Sequence, residues 1–300
     1  MPAGYSAEMA HWTADDIPDQ TGRTFLVTGA NSGLGEVTAR QLAGHGARVV
    51  LACRNTEKGA AAAEGMSGDV EVRSLDLADL ASVRAFAESV TEVDVLVNNA
   101  GVMAPPLKRT ADDFEMQIGT NHLGHFALTG LLLDRIRDRV VTVSSAMHQI
   151  GRISLDDLNW HRRRYQRWLA YGQSKVANLL FTYELDRRLR AAGSAVRSSA
   201  AHPGYATTNL QSHTESFQDA LLGIGNRLFA QSAEMGALPT LYAATADVPS
   251  GSYAGPGGFM EQRGYPKLVG SNHASRDTEV AAKLWDLSEQ LTAVSYKFTG

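Results

Sequence analysis

A doubly wound α/β domain with a parallel sheet is the fold class this sequence predicts, and three features carry the prediction. Short apolar runs alternate with helical patterns from about residue 23 onward. The runs are almost continuously apolar, as strands covered on both faces are. The first run ends in a glycine-rich turn that opens a helix.

The elements follow in order. "RTFLVTGA" reads as the first buried strand. "GLGEVTARQLAGHG" places Leu34, Val37, Ala39, Leu42 and Ala43 at helical spacing, with Gly44 and Gly46 at its end. "ARVVLACR" is a second strand, "TEKGAAAAEGM" a second helix, and "DVEVRSLDL" a third strand. "DLASVRAFAESV" is a helix with Asp79 as N-cap. "VDVLVNNAG" is a fourth strand, residues 112–137 a long helix, and "RVVTVSSA" a fifth strand. A helix from Trp168 to Ala192 and a sixth strand, "SAVRSSAAHPG", complete the alternation. Residues 205–270 read as loop and helix decoration over one end of the sheet, with a helix in "SAEMGALPTLYAATA". "GSYAGPGG", 251–258, excludes a long regular element. No composition break marks a second domain, so the expectation is an extension over 1–20 and one domain over 21–300.

Composition narrows the function classes. Hydrophobic residues make up 44% and charged residues 20% of the 300, with a net charge of −4. That balance does not favour a nucleic-acid partner. The single cysteine, Cys53, excludes an internal disulfide framework and points to a reduced, cytoplasmic protein. No signal peptide and no run of about 18 apolar residues is present, so no stable membrane insertion is expected.

The turn "TGANSGLG", 28–35, spaces Gly29, Gly33 and Gly35 as G-x-x-x-G-x-G between a strand and a helix. Glycine permits the tight turn, and a missing side chain lets a pyrophosphate approach the backbone. The helix N-terminus adds free N–H groups and partial positive charge. Dinucleotide binding is the expectation. The second strand ends "LACRN", with Arg54 near where an NAD-preferring protein usually carries a carboxylate. A guanidinium there suits a 2′-phosphate, so NADP(H) is preferred over NAD(H). Asn31 and Asn55 are neighbours that would suit the phosphate.

These residues resemble the short-chain dehydrogenase/reductase family, in its "TGxxxGxG" branch. The resemblance runs through ordered motifs over about 22–210: the cofactor turn, "LDL" at 75–77, "NNAG" at 98–101, "NHLGHF" at 121–126, "VSS" at 143–145, "YGQSK" at 171–175 and "HPGYATT" at 202–208. It implies a single Rossmann-fold domain binding cofactor through Gly29, Asn31, Ser32, Gly33, Leu34, Gly35, Arg54, Asp76, Leu77, Asn98, Ala100, Gly101, Tyr171, Lys175, Pro203, Gly204 and Thr208. It implies catalysis by Ser145, Tyr171, Lys175 and Asn121, without a metal. "LVTGANSGLG", "LACRN", "NHLGHF" and "SSAMHQIG" are most similar to retinol-dehydrogenase-type members and their bacterial relatives. That implies an NADP(H)-linked oxidoreductase for a small carbonyl or alcohol, of lipophilic character, and a homo-oligomer, dimer or tetramer. One departure stands out: 26 positions separate Ser145 from Tyr171, where many members have about a dozen. The segment between them is expected to shape the substrate mouth.

The chemistry suits the residues. A phenol with a pKa near 10 exchanges protons poorly at neutral pH. An ammonium four residues on, on the same helix face, favours the phenolate. Ser145, at the strand end, is placed to hydrogen-bond a substrate oxygen, and Asn121 to support a water-linked relay to the lysine. Alone, Tyr171 and Lys175 are an ordinary helix pair; the glycine turn upstream gives them meaning.

Other patterns are weaker. His122 and His125 lack a third metal ligand. The basic run "HRRRYQRW", 161–168, reads as a solvated loop, and Cys53 as a buried hydrophobe. "FQDALLGIGNRLFA", 217–230, suits either a substrate cover or a packing helix. Two alternatives remain: a sugar-nucleotide epimerase, which would carry T-G-x-x-G-x-x-G, and a dinucleotide-binding regulatory protein.

Overall fold

The computed structural model describes residues 11–205 and 231–298. Eight strands form one sheet in the order β3-β2-β1-β4-β5-β6-β7-β8. These are β1 Thr24–Thr28, β2 Arg48–Cys53, β3 Val70–Ser74, β4 Val93–Asn98, β5 Ile136–Val143, β6 Arg197–Ala201, β7 Tyr253–Pro256 and β8 Pro266–Leu268. All pairings are parallel except β7 with β8. The order reverses between β1 and β4, which opens a crevice at their carboxyl ends.

Alternation along each strand builds two cores. Leu26, Val50, Leu96 and Val140 face Phe126, Phe181 and Trp285 on one side. Phe25, Val27, Val49, Leu51, Val95 and Val97 face Leu42, Leu238 and Leu241 on the other. Helices α1 Gly33–Gly44, α2 Thr56–Glu64 and α3 Leu80–Ser89 lie where the periodicity puts them. Asp79 caps α3 by accepting the Ala81 amide at 2.9 Å.

The structure departs from expectation in three places. The helix expected over 112–137 begins as α4, Met116–Ile118, because Asp113 sits at φ 64° in a turn closed by the Arg109–Glu115 bridge. It continues through a π-helical turn, Gly119–Leu123, into α5, Gly124–Leu132. It ends by Arg135, so β5 starts at Ile136, three residues before its expected start at Arg139. The helix α6, Arg167–Ala191, matches its expectation closely. Second, α7, Ala233–Thr245, is not decoration over a sheet end: Ala237, Leu238 and Leu241 are core residues beside Leu42 of α1. Third, α8, Thr278–Thr292, lies beyond any expected element, capped by Asp277 and packed on α6 through Leu284 and Trp285. "GSYAGPGG" holds only the four-residue strand β7, in keeping with the exclusion of a long element there. Within the amino-terminal extension, Ile17 is buried and Trp12 meets Tyr242 edge-on at 5.3 Å. Thr208 and the segment 217–230 lie outside the described residues.

At the amino ends of the strands, Asp138 of β5 binds three guanidinium groups: Arg23, Arg139 at 3.0 Å and Arg197 at 2.6 Å. Arg139 is itself buried and donates to the Ala243 and Ala246 carbonyls at the end of α7, at 3.0 and 2.8 Å. Burial disfavours the Asp138 charge, but hydrogen bonds and charge from Arg197 and Arg139 outweigh it and hold the pKa below 3.8. Its stabilising contribution is therefore complete above that value and lost as pH falls through the lower folded value. Asp138→Asn leaves Arg139 buried without its counter-charge, at an expected cost of about 3 kcal/mol in urea unfolding. An unchanged midpoint would contradict this role.

Candidate active site

The glycine turn is shaped by contacts on three sides. Gly29 and Gly33 lie at φ 66° and 58°, in the left-handed region. A Cβ on Gly29 would stand 2.9 Å from the Ala100 Cβ, and one on Gly35 would stand 2.5 Å from the Gly29 carbonyl oxygen. Ser32 begins α1 without a side-chain cap, which leaves the first amides of the helix for an anionic ligand. Asn31, Ser32, Gly33 and Leu34 are half-buried around this opening.

Neighbouring strand ends complete the crevice. Arg54 is exposed just past β2, and Asn55 is taken up as the N-cap of α2, accepting the Lys58 amide at 2.8 Å. Asp76 accepts the Ala78 amide at 2.9 Å, and the Leu77 carbonyl is seated against Gly124. Asn98 does not face the crevice: its amide donates to Thr129 of α5 at 3.0 Å, inside the core. Strand alternation puts Asn99 at the opening instead, where it donates to the Thr28 carbonyl at 2.7 Å. Ala100 and Gly101 are half-buried beside it.

Two residues here carried no earlier functional expectation. The Thr28 hydroxyl accepts the Asn99 and Ala100 amides, each at 2.9 Å, and meets His125 Nε2 at 2.9 Å. His125 Nδ1 donates to the Asn121 carbonyl at 3.0 Å. That fixes the neutral tautomer with Nε2 as acceptor for Thr28. Burial holds the imidazole pKa down to about 4, although the Asn121 bond favours charge. The spacing of Asn121 and His125 on one helix was the available signal. His122 points elsewhere, to Ser288 at 2.9 Å, and no metal-binding cluster occurs among the described residues.

Asn121 sits in the π-helical turn, a feature frequent at functional sites. Its side chain pairs with Val102, accepting the amide at 2.8 Å and donating to the carbonyl at 3.0 Å. It also donates to Ser174 at 2.9 Å, whose hydroxyl bonds the Tyr171 carbonyl at 2.8 Å. Asn121 thus braces the "NNAG" segment against the first turns of α6.

Tyr171 and Lys175 lie on one face of α6, 5% and 4% exposed. The ammonium is 5.6 Å from the phenol ring centroid and donates to the Val143 carbonyl at 3.1 Å. Ser145 follows β5 beside the phenol, its hydroxyl accepting the Met147 amide at 3.3 Å, whereas Ser144 turns away and donates to the Lys175 carbonyl at 2.9 Å. Burial pushes Tyr171 up to about 12, with Ser145 pulling the other way, and pushes Lys175 down to about 8. Pro203 and Gly204 follow β6, the strand beside β5.

The segment between Ser145 and Tyr171 is anchored rather than loosely solvated. Asp157 accepts the amides of His161 and Arg163 at 2.8 and 3.0 Å, and Arg163 stacks on Trp160 at 3.9 Å. Tyr165 bonds Pro105 and Glu115, both at 3.1 Å. Arg162 and Arg164 are the exposed pair among the four arginines of that run, and Arg162 bonds Asp156 at 2.9 Å. Trp168 ends the segment edge-on to Tyr171 at 6.5 Å.

Lys175 carries a stability cost. The unfolded chain holds the lysine proton up to 10.5, the folded chain only to about 8. Stability therefore rises with pH across that window, and below it the folded protein carries the full cost of a buried ammonium. Lys175→Met is expected to be more stable than wild type at neutral pH, by up to about 3 kcal/mol. The advantage should shrink between about pH 8 and 10.5. Equal stability across that range would contradict the burial of this charge.

Comparison with known proteins fits this geometry. A family model described as short chain dehydrogenase matches residues 23–219. Retinol dehydrogenase 13 of Homo sapiens is 44% identical over 91% of this chain and 85% of its own length. Retinol dehydrogenase 12 of Homo sapiens is 41% identical over 92% of this chain and 88% of its own. The crystal structure of an uncharacterized protein from Mycobacterium Paratuberculosis is 56% identical, with a TM-score of 0.85 over 96% of this chain and 100% of that one. The chain belongs to the short-chain dehydrogenases, NAD(P)-dependent oxidoreductases that act on CH–OH and C=O groups.

Proposed function

We propose that this protein is an NADP(H)-dependent oxidoreductase that interconverts a lipophilic alcohol and its carbonyl compound. The observation that carries the reading is the burial of Tyr171 beside Lys175 and Ser145, at the carboxyl ends of the strands and next to the glycine turn. The cradle fits a dinucleotide: Gly29, Gly33 and Gly35 leave room for it, and the uncapped start of α1 suits its phosphates. When bound, that group supplies or accepts the hydride.

The chain's own residues handle the proton. With a pKa of about 12, Tyr171 is protonated at neutral pH and ready to donate to a substrate oxygen. Ser145, beside the phenol, can bond the same oxygen and stabilise charge as it develops. Lys175 is the cation that favours the phenolate left behind. Its bond to Val143 fixes its reach toward the crevice. Asn121, through Val102 and Ser174, holds both walls and is the entry for a water-linked relay.

Support for NADP(H) is the exposed Arg54 after β2, where no carboxylate stands. Support for an apolar substrate is Trp168 beside Tyr171, exposed Leu169 next to it, and the relatives named retinol dehydrogenases. No helix among the described residues is long and apolar enough to cross a membrane, and the free, buried Cys53 supports a reducing, cytoplasmic setting. A homo-oligomer would use faces other than the outer side of α6, which α8 covers. The glycine spacing disfavours the epimerase, and the complete Ser–Tyr–Lys set disfavours a regulatory role without turnover.

Two variants test the reading, with aliphatic, aromatic, steroid and retinoid carbonyls as substrates and reduced nicotinamide absorbance as the signal. Tyr171→Phe should lower turnover by at least about a hundredfold and leave NADPH binding intact. Near-normal turnover would sink the mechanism, and tight NADPH binding without turnover on any carbonyl in the wild type would favour the regulatory reading. Arg54→Asp should weaken NADPH about tenfold and affect NADH far less. An unchanged NADPH-to-NADH ratio would remove Arg54 from the specificity argument.

A further inference from the structure

Past the catalytic residues, one buried histidine is built into the wall of the crevice at visible structural cost. His202 directly follows β6, and its side chain is 1% exposed. Its Nδ1 accepts the Gly204 amide at 3.3 Å, so the proton belongs on Nε2. Nε2 then donates to Glu261 Oε2 at 3.2 Å. Burial, helped by His148 nearby, holds the ring neutral by pushing its pKa down to about 4.

The carboxylate reaches this bond from a strained loop. Met260 and Glu261 both adopt left-handed backbone, at φ 49° and 56°. Consecutive residues of that kind are unusual outside glycine and persist only when their surroundings hold them. Two glycines clear the space. A Cβ on Gly255 would stand 2.1 Å from His202 Nε2, and one on Gly204 would stand 2.4 Å from the Gln262 carbonyl oxygen. Further bonds join the same two loops. The Tyr205 amide donates to Gln262 at 2.7 Å, and Gln231 donates to Pro203 at 2.6 Å while accepting the Gly264 amide at 3.2 Å. Glycine at 261 would fit the backbone better, so the carboxylate is what residue 261 contributes.

We propose that Glu261 and His202 form a latch that sets the Pro203–Gly204 turn against the bound dinucleotide, making both of them positioning residues for cofactor affinity. The turn leaves β6, the strand next to β5, so it opens at the same end of the sheet as Ser145. The imidazole fixes the turn through the Gly204 amide, and Glu261 fixes the imidazole. This inference rests on the dinucleotide reading of the crevice.

Glu261→Gly separates positioning from stability, because it removes the carboxylate and relieves the strained backbone together. Fluorescence titration with NADPH and thermal melting would be measured on wild type, Glu261→Gly and Glu261→Gln. Glu261→Gly should melt within a few degrees of wild type yet bind NADPH about tenfold more weakly. Glu261→Gln keeps an oxygen acceptor for Nε2–H and should recover most of the affinity. Equal affinity in wild type and Glu261→Gly would overturn the latch alone. So would a Glu261→Gln variant as weak as Glu261→Gly. Absence of NADPH binding by the wild type would overturn the dinucleotide reading and the latch with it.

Discussion

The neutral imidazole of His125 ties the glycine turn, the "NNAG" segment and the catalytic helix into one body. One nitrogen meets the Thr28 hydroxyl, which in turn gathers the Asn99 and Ala100 amides. The other holds the Asn121 carbonyl in the π-helical turn. From Asn121 the connections run on through Ser174 to the backbone of Tyr171. A charged ring would have to donate at both nitrogens, and the Thr28 hydroxyl, which already accepts two amides, would have to turn its own proton away from the ring. Burial prevents that by keeping the imidazole pKa far below neutral. The glycine turn and Tyr171 thus share one set of buried, satisfied polar groups, which is what makes such networks rigid.

Against this frame the reactive pair is held in tension. The same burial raises the tyrosine and lowers the lysine. Each shift disfavours the charged form of its group, so burial alone stabilises neither phenolate nor ammonium. Positive charge from a bound oxidised nicotinamide would favour the phenolate. The site therefore stores a stability cost that ligand binding can use, a common property of functional sites.

Much of this was legible in the chain. Gly29, Gly33 and Gly35 between a strand and a helix announced a tight turn, and Tyr171 with Lys175 at helical spacing announced a shared face. Strand alternation separates Ser144 from Ser145, and it also separates Asn98, whose side chain faces the core, from Asn99 at the opening. What escaped depended on long-range contacts. The π-helical turn holds Asn121, whose partners Val102 and Ser174 lie 19 and 53 residues away. The strand β7 was hidden by Gly255, whose missing side chain serves His202 rather than a turn. The helix α8 gains its place from Trp285 against the Phe126 and Phe181 rings. Asp157 organises the basic run, which its composition alone describes as a solvated loop.

The central claim is that Tyr171 is a proton donor whose acidity the crevice controls. Carbon-13 labelling of the tyrosine ring, with Tyr171→Phe to assign the signal, allows its titration to be followed by NMR. In the empty protein the expected midpoint is about 12. With NADP⁺ bound it should fall by roughly two pH units or more, and less so in Lys175→Met. A Tyr171 signal that titrates at the same pH with and without NADP⁺ would contradict the account.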